Sequence, residues 1–394
     1  MLKIRCVLKV NKAYIDLLNR ADSQIRTVIF FGGRIMTEIE KARETINGAD
    51  KEIAKLFEKR MRAVEAVFDY KREHGLPIYD GGREQEVIAK NSAYIDDEVL
   101  RGYYIDFLKD VMDISKRYQS RLQKGVKIAY SGIKGAFAHI AAAKLYPDGN
   151  LISYPDFSSA YSSVENGECD LAVLPIENSS AGEVGTVVDM IFGGTLYING
   201  IYNLEINQNL LAVHGAKRED IKTVISHRQA INQSIDYIRE KGFKIQEATN
   251  TAIAAKTVAD ANDVTQAAIA SAETAKLYGL EIIDRRINGS NVNTTRFAVL
   301  SKVKSTEENK NTVLLFAVSD SAGALAKAIN VIGKYNYNMI SLRSRPIKEH
   351  PWKYYFYVEL DKNVETEIGA IMLTELKGCC EFLKVAGTFS EKNI

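Results

Sequence analysis

The chain has 394 residues, which predicts two or three domains. Hydrophobic residues make up 46% and charged residues 26%, the balance of a soluble globular protein, and a net charge of +2 gives no basis for nucleic-acid binding. No apolar run reaches the length of a membrane span. The four cysteines, Cys6, Cys169, Cys379 and Cys380, have neither metal-ligand spacing nor a disulfide pattern, so a reducing cytoplasm is expected and the adjacent pair reads as packing.

Residues 1–35 mix short apolar runs with Lys and Arg and have no clear period. Scattered charges and the lack of a small-residue cleavage site argue against a signal peptide. Gly32-Gly33-Arg34 stands just ahead of Met36, and purine-rich codons there would resemble a ribosome-binding site. Two readings are open: a natural start at Met36 with residues 1–35 an upstream extension, or an N-terminal helix packed on the rest.

From Glu38 to about Gln119 the pattern is helical. The first helix runs to about His74, where Gly75 and Pro77 break it. Its apolar residues Ala42, Ile46, Ala49, Ile53, Leu56, Ala63 and Val67 form a heptad seam with one missing member, and the missing position is Arg60. A guanidinium in such a seam costs several kcal/mol unless an anion meets it. The anion is either a Glu on a neighbouring helix or a substrate. Arg43 and Lys71 flank the same helix about 40 Å apart at 1.5 Å per residue. One small molecule cannot touch both ends of one straight helix. If Arg43, Arg60 and Lys71 serve one site, Arg43 comes from a second copy, which predicts an intertwined dimer with two shared sites. Asp80-Gly81-Gly82-Arg83-Glu84 leads into a second helix. A third starts near Asp96, with Val99, Tyr103, Phe107, Val111, Ile114 and Tyr118 as its apolar face. It ends with Ser115 and Gln119 one turn apart on one face.

The pattern changes at Gly125. A strand at 126–130 is followed by the glycine-rich turn Ser131-Gly132-Ile133-Lys134-Gly135-Ala136 and a helix from Phe137, an arrangement in which backbone N–H groups can hold an anion. Its spacing is neither the dinucleotide nor the P-loop pattern. Strands and helices then alternate to about Leu300, with strands at 170–174, 223–226, 267–270 and 296–300. This is α/β, with ligand sites expected at the carboxyl ends of strands. Residues 302–311 read as a linker, and the remainder predicts β-α-β-β-α-β, the split ferredoxin-like order.

Arg43, Arg60, Lys71, Asp80, Arg83, Glu84, Ser115 and Gln119 together resemble the active-site pattern of the all-helical chorismate mutases, over about 36–122, with a one-residue slip before the third helix. The resemblance implies an intertwined helical dimer that rearranges chorismate to prephenate. That pericyclic reaction needs a compact bound dianion and charge stabilisation at the breaking ether oxygen, not a nucleophile. By the same resemblance, Arg43 of the partner chain and Arg60 hold carboxylates, Lys71 and Gln119 face the ether oxygen, Asp80 and Glu84 meet the hydroxyl, and Arg83 and Ser115 support them.

Residues 125–303 resemble prephenate dehydratase. The motifs are Gly135-Ala136-Phe137-Ala138-His139, Leu174-Pro175-Ile176-Glu177-Asn178-Ser179, Ser226-His227, Leu277-Tyr278-Gly279-Leu280 and Asn293-Thr294-Thr295-Arg296-Phe297. Two α/β lobes are implied, with a cleft in which prephenate loses hydroxide and carbon dioxide to give phenylpyruvate. Aromatisation drives the reaction, so no cofactor and no metal are expected. It needs a proton donor at the departing hydroxyl and cationic or N–H groups for the carboxylates. The resemblance gives Thr295 the donor role and Arg296 a part in substrate anchoring. Glu177, Asn178, Ser226 and Gln233 are further candidates. Gln208-Asn209 stands before Leu210-Leu211 where relatives often carry His-Cys.

Residues 312–390 resemble the ACT regulatory module, which in such enzymes binds phenylalanine. Gly323-Ala324-Leu325 and Ser344-Arg345-Pro346 are the implied effector residues. Arg343 stands where relatives usually carry Glu, which would put the wrong charge beside an ammonium and weaken the response. The chain is thus similar to bifunctional chorismate mutase/prephenate dehydratases, cytoplasmic homodimers or higher oligomers of phenylalanine biosynthesis that need neither nucleic acid nor membrane. The rival reading is a dimeric binding protein with a solute-binding-like middle domain.

Overall fold

A computed structural model describes residues 30–31, 34–35, 37–76, 81–289, 293–348 and 350–394. Phe30–Phe31 pairs antiparallel with Arg34–Ile35. The remainder of residues 1–36, with the proposed start at Met36, lies outside the described residues, as does Asp80. The chain divides into two compact units, Met1–Gln119 and Ser120–Ile394.

The first unit is helical: α1 is Glu38–Glu73, α2 Gly81–Ser92 and α3 Glu98–Lys124. Thr37 and Glu40 form a reciprocal capping box at the start of α1, satisfying two orphan N–H groups. The helix then runs unbroken for 36 residues, so Arg43 and Lys71 do lie on one rod. Its apolar seam is not buried within one chain. Ile46, Ile53, Leu56 and Val67 are exposed, and Phe68 is the buried residue of α1. The apolar face expected on α3 is met only in its second half. Val99, Tyr103 and Phe107 are exposed, while Leu108, Val111, Met112, Ser115 and Gln119 are buried. Among the described residues, these stripes stay exposed.

The second unit holds three sheets. The first runs, from one edge, Glu391–Asn393, Tyr197–Glu205, Thr294–Ser301, Leu171–Asn178, Lys127–Ser131, Asn150–Tyr154. The second runs Lys244–Glu247, Thr223–Ser226, Gln266–Ala270, Asn209–Ala212, Glu281–Asp284. The chain enters the second lobe after Glu205 and returns to the first at Asn293, so two crossing segments join the lobes, bound where Ile206 N–H donates to Asn293 O at 2.7 Å.

The third sheet follows the β-α-β-β-α-β order: Asn311–Ala317, helix Ala324–Lys334, Met339–Pro346, Tyr354–Leu360, helix Glu367–Lys377, Phe382–Phe389. Spatially the edge strand Met339–Pro346 lies beside Tyr354–Leu360, then Asn311–Ala317, then Phe382–Phe389. One face of this sheet packs on the two helices through Leu314, Phe316, Ile332, Val358 and Met372. The other face supplies Val313, Leu315, Tyr355, Tyr357 and Phe389 to the core that also contains Leu174, Ile198 and Leu300 of the first sheet. Cys379 and Cys380 are half-buried, and burial pushes the Cys380 thiol up to about 11, which makes it a packing group rather than a reactive one. Among the described residues no helix is long and apolar enough to cross a membrane.

Candidate active sites

In the helical unit, Arg60 donates from Nη1 to Ser115 Oγ in a short hydrogen bond, and Ser115 passes its own proton to Val111 O at 2.7 Å. Ser115 thus acts as a rigid acceptor that aims the guanidinium. Burial lowers the affinity of Arg60 for its proton, and among the described residues no carboxylate pairs with it. Of the two readings of a cation in the seam, the neighbouring Glu has no counterpart among the described residues. Gln119, one turn beyond Ser115, is buried with its Oε1 unpartnered. Glu84 on α2 reaches Lys116 of α3 at 3.2 Å, next to Ser115. The structure therefore brings Arg60, Ser115, Gln119 and Glu84 around α3. Arg83 is exposed and pairs with Glu86 at 2.6 Å, Arg43 is exposed near the start of α1, and Lys71 is half-buried at its far end.

In the second unit a cleft of about 490 Å³ opens between the first two lobes. A β-bulge sets its floor. Thr295 faces Asn178 and Arg296 faces Glu177, but Phe297 faces Pro175, so Ile176 is the extra residue. Proline has no ladder N–H to lose, which suits it to a bulge. The insertion puts Pro175 and Asn178 on the cleft face together with Thr295 and Phe297. Asn178 Nδ2 donates to Thr295 Oγ1 at 2.9 Å and to Asn293 Oδ1 at 2.9 Å, while Asn178 Oδ1 accepts from the N–H groups of Ser180 and Ala181 and from Gln229. Because Thr295 oxygen accepts from Asn178, its own proton is left to point at an acceptor in the cleft.

Gln233 also lines the cleft, accepting from Asn293 at 2.9 Å. Residues not singled out from sequence as site members are Gln208, Gln229, His227 and Asn293. Gln208 is 2% exposed with Oε1 unpartnered. Its place ahead of Leu210-Leu211 was the available signal. His227 accepts at Nδ1 from Gln229 N–H, which leaves Nε2 to carry the proton in the neutral ring. Among the described residues the lining includes neither Lys nor Arg. Donors come instead from helix starts: Ala136-Phe137 opens Phe137–Leu145, Asn250-Thr251 opens Thr251–Ala261 and His227 opens Arg228–Gln233.

Three expected dehydratase residues lie elsewhere. Arg296 and Glu177 alternate to the opposite face of the sheet, so neither reaches the cleft. Ser226, though at a strand's carboxyl end, is fully buried and donates to Ile269 O at 2.6 Å on the neighbouring strand. Arg296 instead binds Glu359 through two N–H groups at 2.9 Å each, Glu391 at 3.0 Å and Glu177 at 3.0 Å. Burial alone would lower its proton affinity, but Glu359 holds it above the ordinary value. Burial alone would raise the Glu177 carboxyl, but hydrogen bonds from Arg343 and Arg296 hold it below its ordinary value.

In the third sheet, Gly323 takes a left-handed φ of 81° at the start of Ala324–Lys334, with Leu325 in its first turn. Ser344 and Pro346 are exposed on the edge strand. Arg345 alternates to the other side, where it binds Asp189 at 2.7 Å and makes a short bond to Glu183. Arg343 follows the same parity and reaches Glu177 at 2.7 Å. The inference that its charge opposes an effector's ammonium therefore falls, because that charge is spent on carboxylates of the first sheet.

The architecture is that of an enzyme built from an all-helical mutase-type region and a two-lobed α/β dehydratase-type region. Residues 42–120 match the profile of chorismate mutase type II and residues 128–305 that of prephenate dehydratase. The bifunctional chorismate mutase/prephenate dehydratase of Buchnera aphidicola (subsp. Acyrthosiphon pisum) is 32% identical over 371 residues, 89% of this chain and 96% of its own. Among solved structures, the prephenate dehydratase of Staphylococcus aureus Mu50 aligns with a TM-score of 0.61 at 25% identity, covering 67% of this chain and all of that one. GqqA, described as a novel type of quorum quenching acylase, aligns at 0.62 and 29% over 67% of this chain and 98% of its own. The chain belongs to the bifunctional chorismate mutase/prephenate dehydratase family. It converts chorismate to prephenate and prephenate to phenylpyruvate, in phenylalanine biosynthesis, and the binding-protein reading is set aside.

Proposed function

We propose that the mutase reaction runs in two sites shared between two copies of the chain, each taking Arg43 from one copy and Arg60, Lys71, Glu84, Ser115 and Gln119 from the other. The observation that carries this reading is Arg60 held by a hydroxyl, with no carboxylate on it among the described residues, beside an exposed apolar seam. An isologous dimer covers that seam. Arg60 and the partner's Arg43 hold the carboxylates of chorismate in its compact conformer. Lys71 and the Gln119 amide stabilise charge on the ether oxygen as it breaks.

In the dehydratase cleft, the two carboxylates of prephenate lie against the helix starts. Thr295 donates to the C4 oxygen as it leaves, and the Asn178 amide stabilises the threonine oxygen while that proton moves. The hydroxide leaves as water, the C1 carboxylate leaves as carbon dioxide, and its electron pair completes the aromatic ring. The C-terminal sheet is an ACT-type module. Phenylalanine binds at the helix start Gly323-Ala324-Leu325 near Ser344 and Pro346 of an edge strand, and it inhibits the dehydratase. The enzyme works in the cytoplasm. Supplying chorismate to wild type, Arg60→Ala and Thr295→Ala, and following chorismate, prephenate and phenylpyruvate, tests both site assignments. Either variant making phenylpyruvate at the wild-type rate would remove its residue from the mechanism.

A further inference from the structure

The strands that present Thr295 and Asn178 to the cleft carry Arg296 and Glu177 on their other face, opposite each other in the ladder. The C-terminal sheet covers that face. Glu177 is held at both oxygens: Oε2 by Arg296 at 3.0 Å, from the neighbouring strand, and Oε1 by Arg343 at 2.7 Å, from the edge strand Met339–Pro346. Arg343 also lies 3.6 Å from Glu183 and sits over the ring of Tyr357, which in turn donates to Glu359 at 2.7 Å. Glu359 is 2% exposed and takes both N–H groups of Arg296. The network is thus closed on the Arg296 side by the buried Glu359, and Arg343 is the contact through which the edge strand grips the bulged strand.

Glu177 lies between the bulged Ile176 and Asn178. Bulged strands lack the regular ladder that fixes register, so a side-chain anchor next to the bulge decides where the following residue sits. With Arg343 removed, one oxygen of a half-buried carboxylate loses its partner, and the strand end is free to shift toward another donor. The residue displaced is Asn178, whose amide orients Thr295.

We propose that Arg343 is a positioning residue for the dehydratase step: acting through Glu177 across the domain contact, it holds the bulged strand so that Asn178 meets Thr295. This rests on the reading of Thr295 and Asn178 as the dehydratase centre. Arg343 touches no substrate. Its effect falls on kcat, because carboxylate binding by the helix starts does not involve it.

The test uses the full-length chain with Arg343→Met, Arg343→Lys, Glu177→Gln and the Glu177→Gln/Arg343→Met double variant. Steady-state prephenate dehydration is measured beside the mutase rate and the thermal midpoint. Small misplacements at a reacting centre cost up to about a hundredfold, and a one-contact shift is placed at roughly tenfold. Arg343→Met is expected to lower kcat by about that factor with KM within about twofold and the mutase rate unchanged. Arg343→Lys, which keeps the charge and loses the fork, should recover a large part of the loss. In the Glu177→Gln background, Arg343→Met should change kcat by less than about twofold, because the route through Glu177 is already cut. The proposal is overturned by wild-type kcat in Arg343→Met, by a loss confined to KM, or by single effects that multiply in the double variant. If Arg343→Met gives no soluble protein, Glu177→Gln carries the test, since it cuts the same contact from the other side: reduced kcat at an unchanged thermal midpoint supports the proposal, and wild-type kcat overturns it. Thr295→Ala is assayed in parallel. Full dehydratase activity there would sink the assignment of the centre itself, whatever Arg343 does.

Discussion

Two inactive variants should restore each other's mutase activity. Arg43 and Lys71 sit on one unbroken helix, 28 positions apart, which at 1.5 Å per residue is about 42 Å. Chorismate spans a small fraction of that length. Each substitution, Arg43→Ala or Lys71→Ala, should therefore disable both sites of its own homodimer, with roughly 10²–10³ lost per site. Random exchange of equal amounts makes about half of all dimers mixed, and in each mixed dimer one site collects both alanines while the other collects both cations. The expected recovery is about one quarter of wild-type mutase activity, from half the dimers and half their sites. The assay is chorismate consumption before and after exchange, with mixed dimers quantified by differential tags. Dehydration of prephenate should stay at the wild-type rate throughout and serves as the internal control. If mixed dimers are present and activity stays at the parental level, the shared site is wrong and all the cations act within one chain.

Arg60→Ala should lower mutase activity by roughly 10²–10³ or more while prephenate still becomes phenylpyruvate. Equal loss of both activities would make the residue structural. Thr295→Ala should do the reverse, leaving chorismate conversion intact and cutting dehydration by orders of magnitude, and stopped assays for phenylpyruvate would read it. Phenylalanine should inhibit the dehydratase in a titration, and Gly323→Val should weaken that inhibition, because a β-branched residue is strained at a φ of 81°. An enzyme indifferent to phenylalanine would remove the effector assignment.

The long helix was legible because a heptad seam is a local pattern, and the odd cation in the seam pointed at its own importance. Thr295 and Asn178 were legible as motif residues. The facing of their neighbours was not. Counting alternately from Pro175, which does line the cleft, puts Glu177 in the cleft as well. One inserted residue, Ile176, reverses that parity, and nothing in Leu174-Pro175-Ile176-Glu177 announces which position is extra. Ser226 misled for another reason: a strand's carboxyl end is where ligands gather, but its hydroxyl is taken by Ile269 O of the adjacent strand. The exposed half of α3 was read as an apolar face, correctly in composition. What the residues leave unstated is whether such a face is met inside the same chain.

The first sheet is completed by residues that follow the C-terminal one. Glu391–Asn393 pairs in parallel with Tyr197–Glu205, and Glu391 is one of the carboxylates on Arg296. Val313, Tyr355, Ala386 and Phe389 share a core with Leu174 and Ile198. A gene cut short after about residue 310 would bare that core, reopen a sheet edge and strip Arg296 of Glu359 and Glu391 together. The C-terminal sheet is thus grafted into the catalytic body rather than hung from it. Trimming the tail of this protein would therefore cut into the dehydratase body itself and not remove a separable appendage.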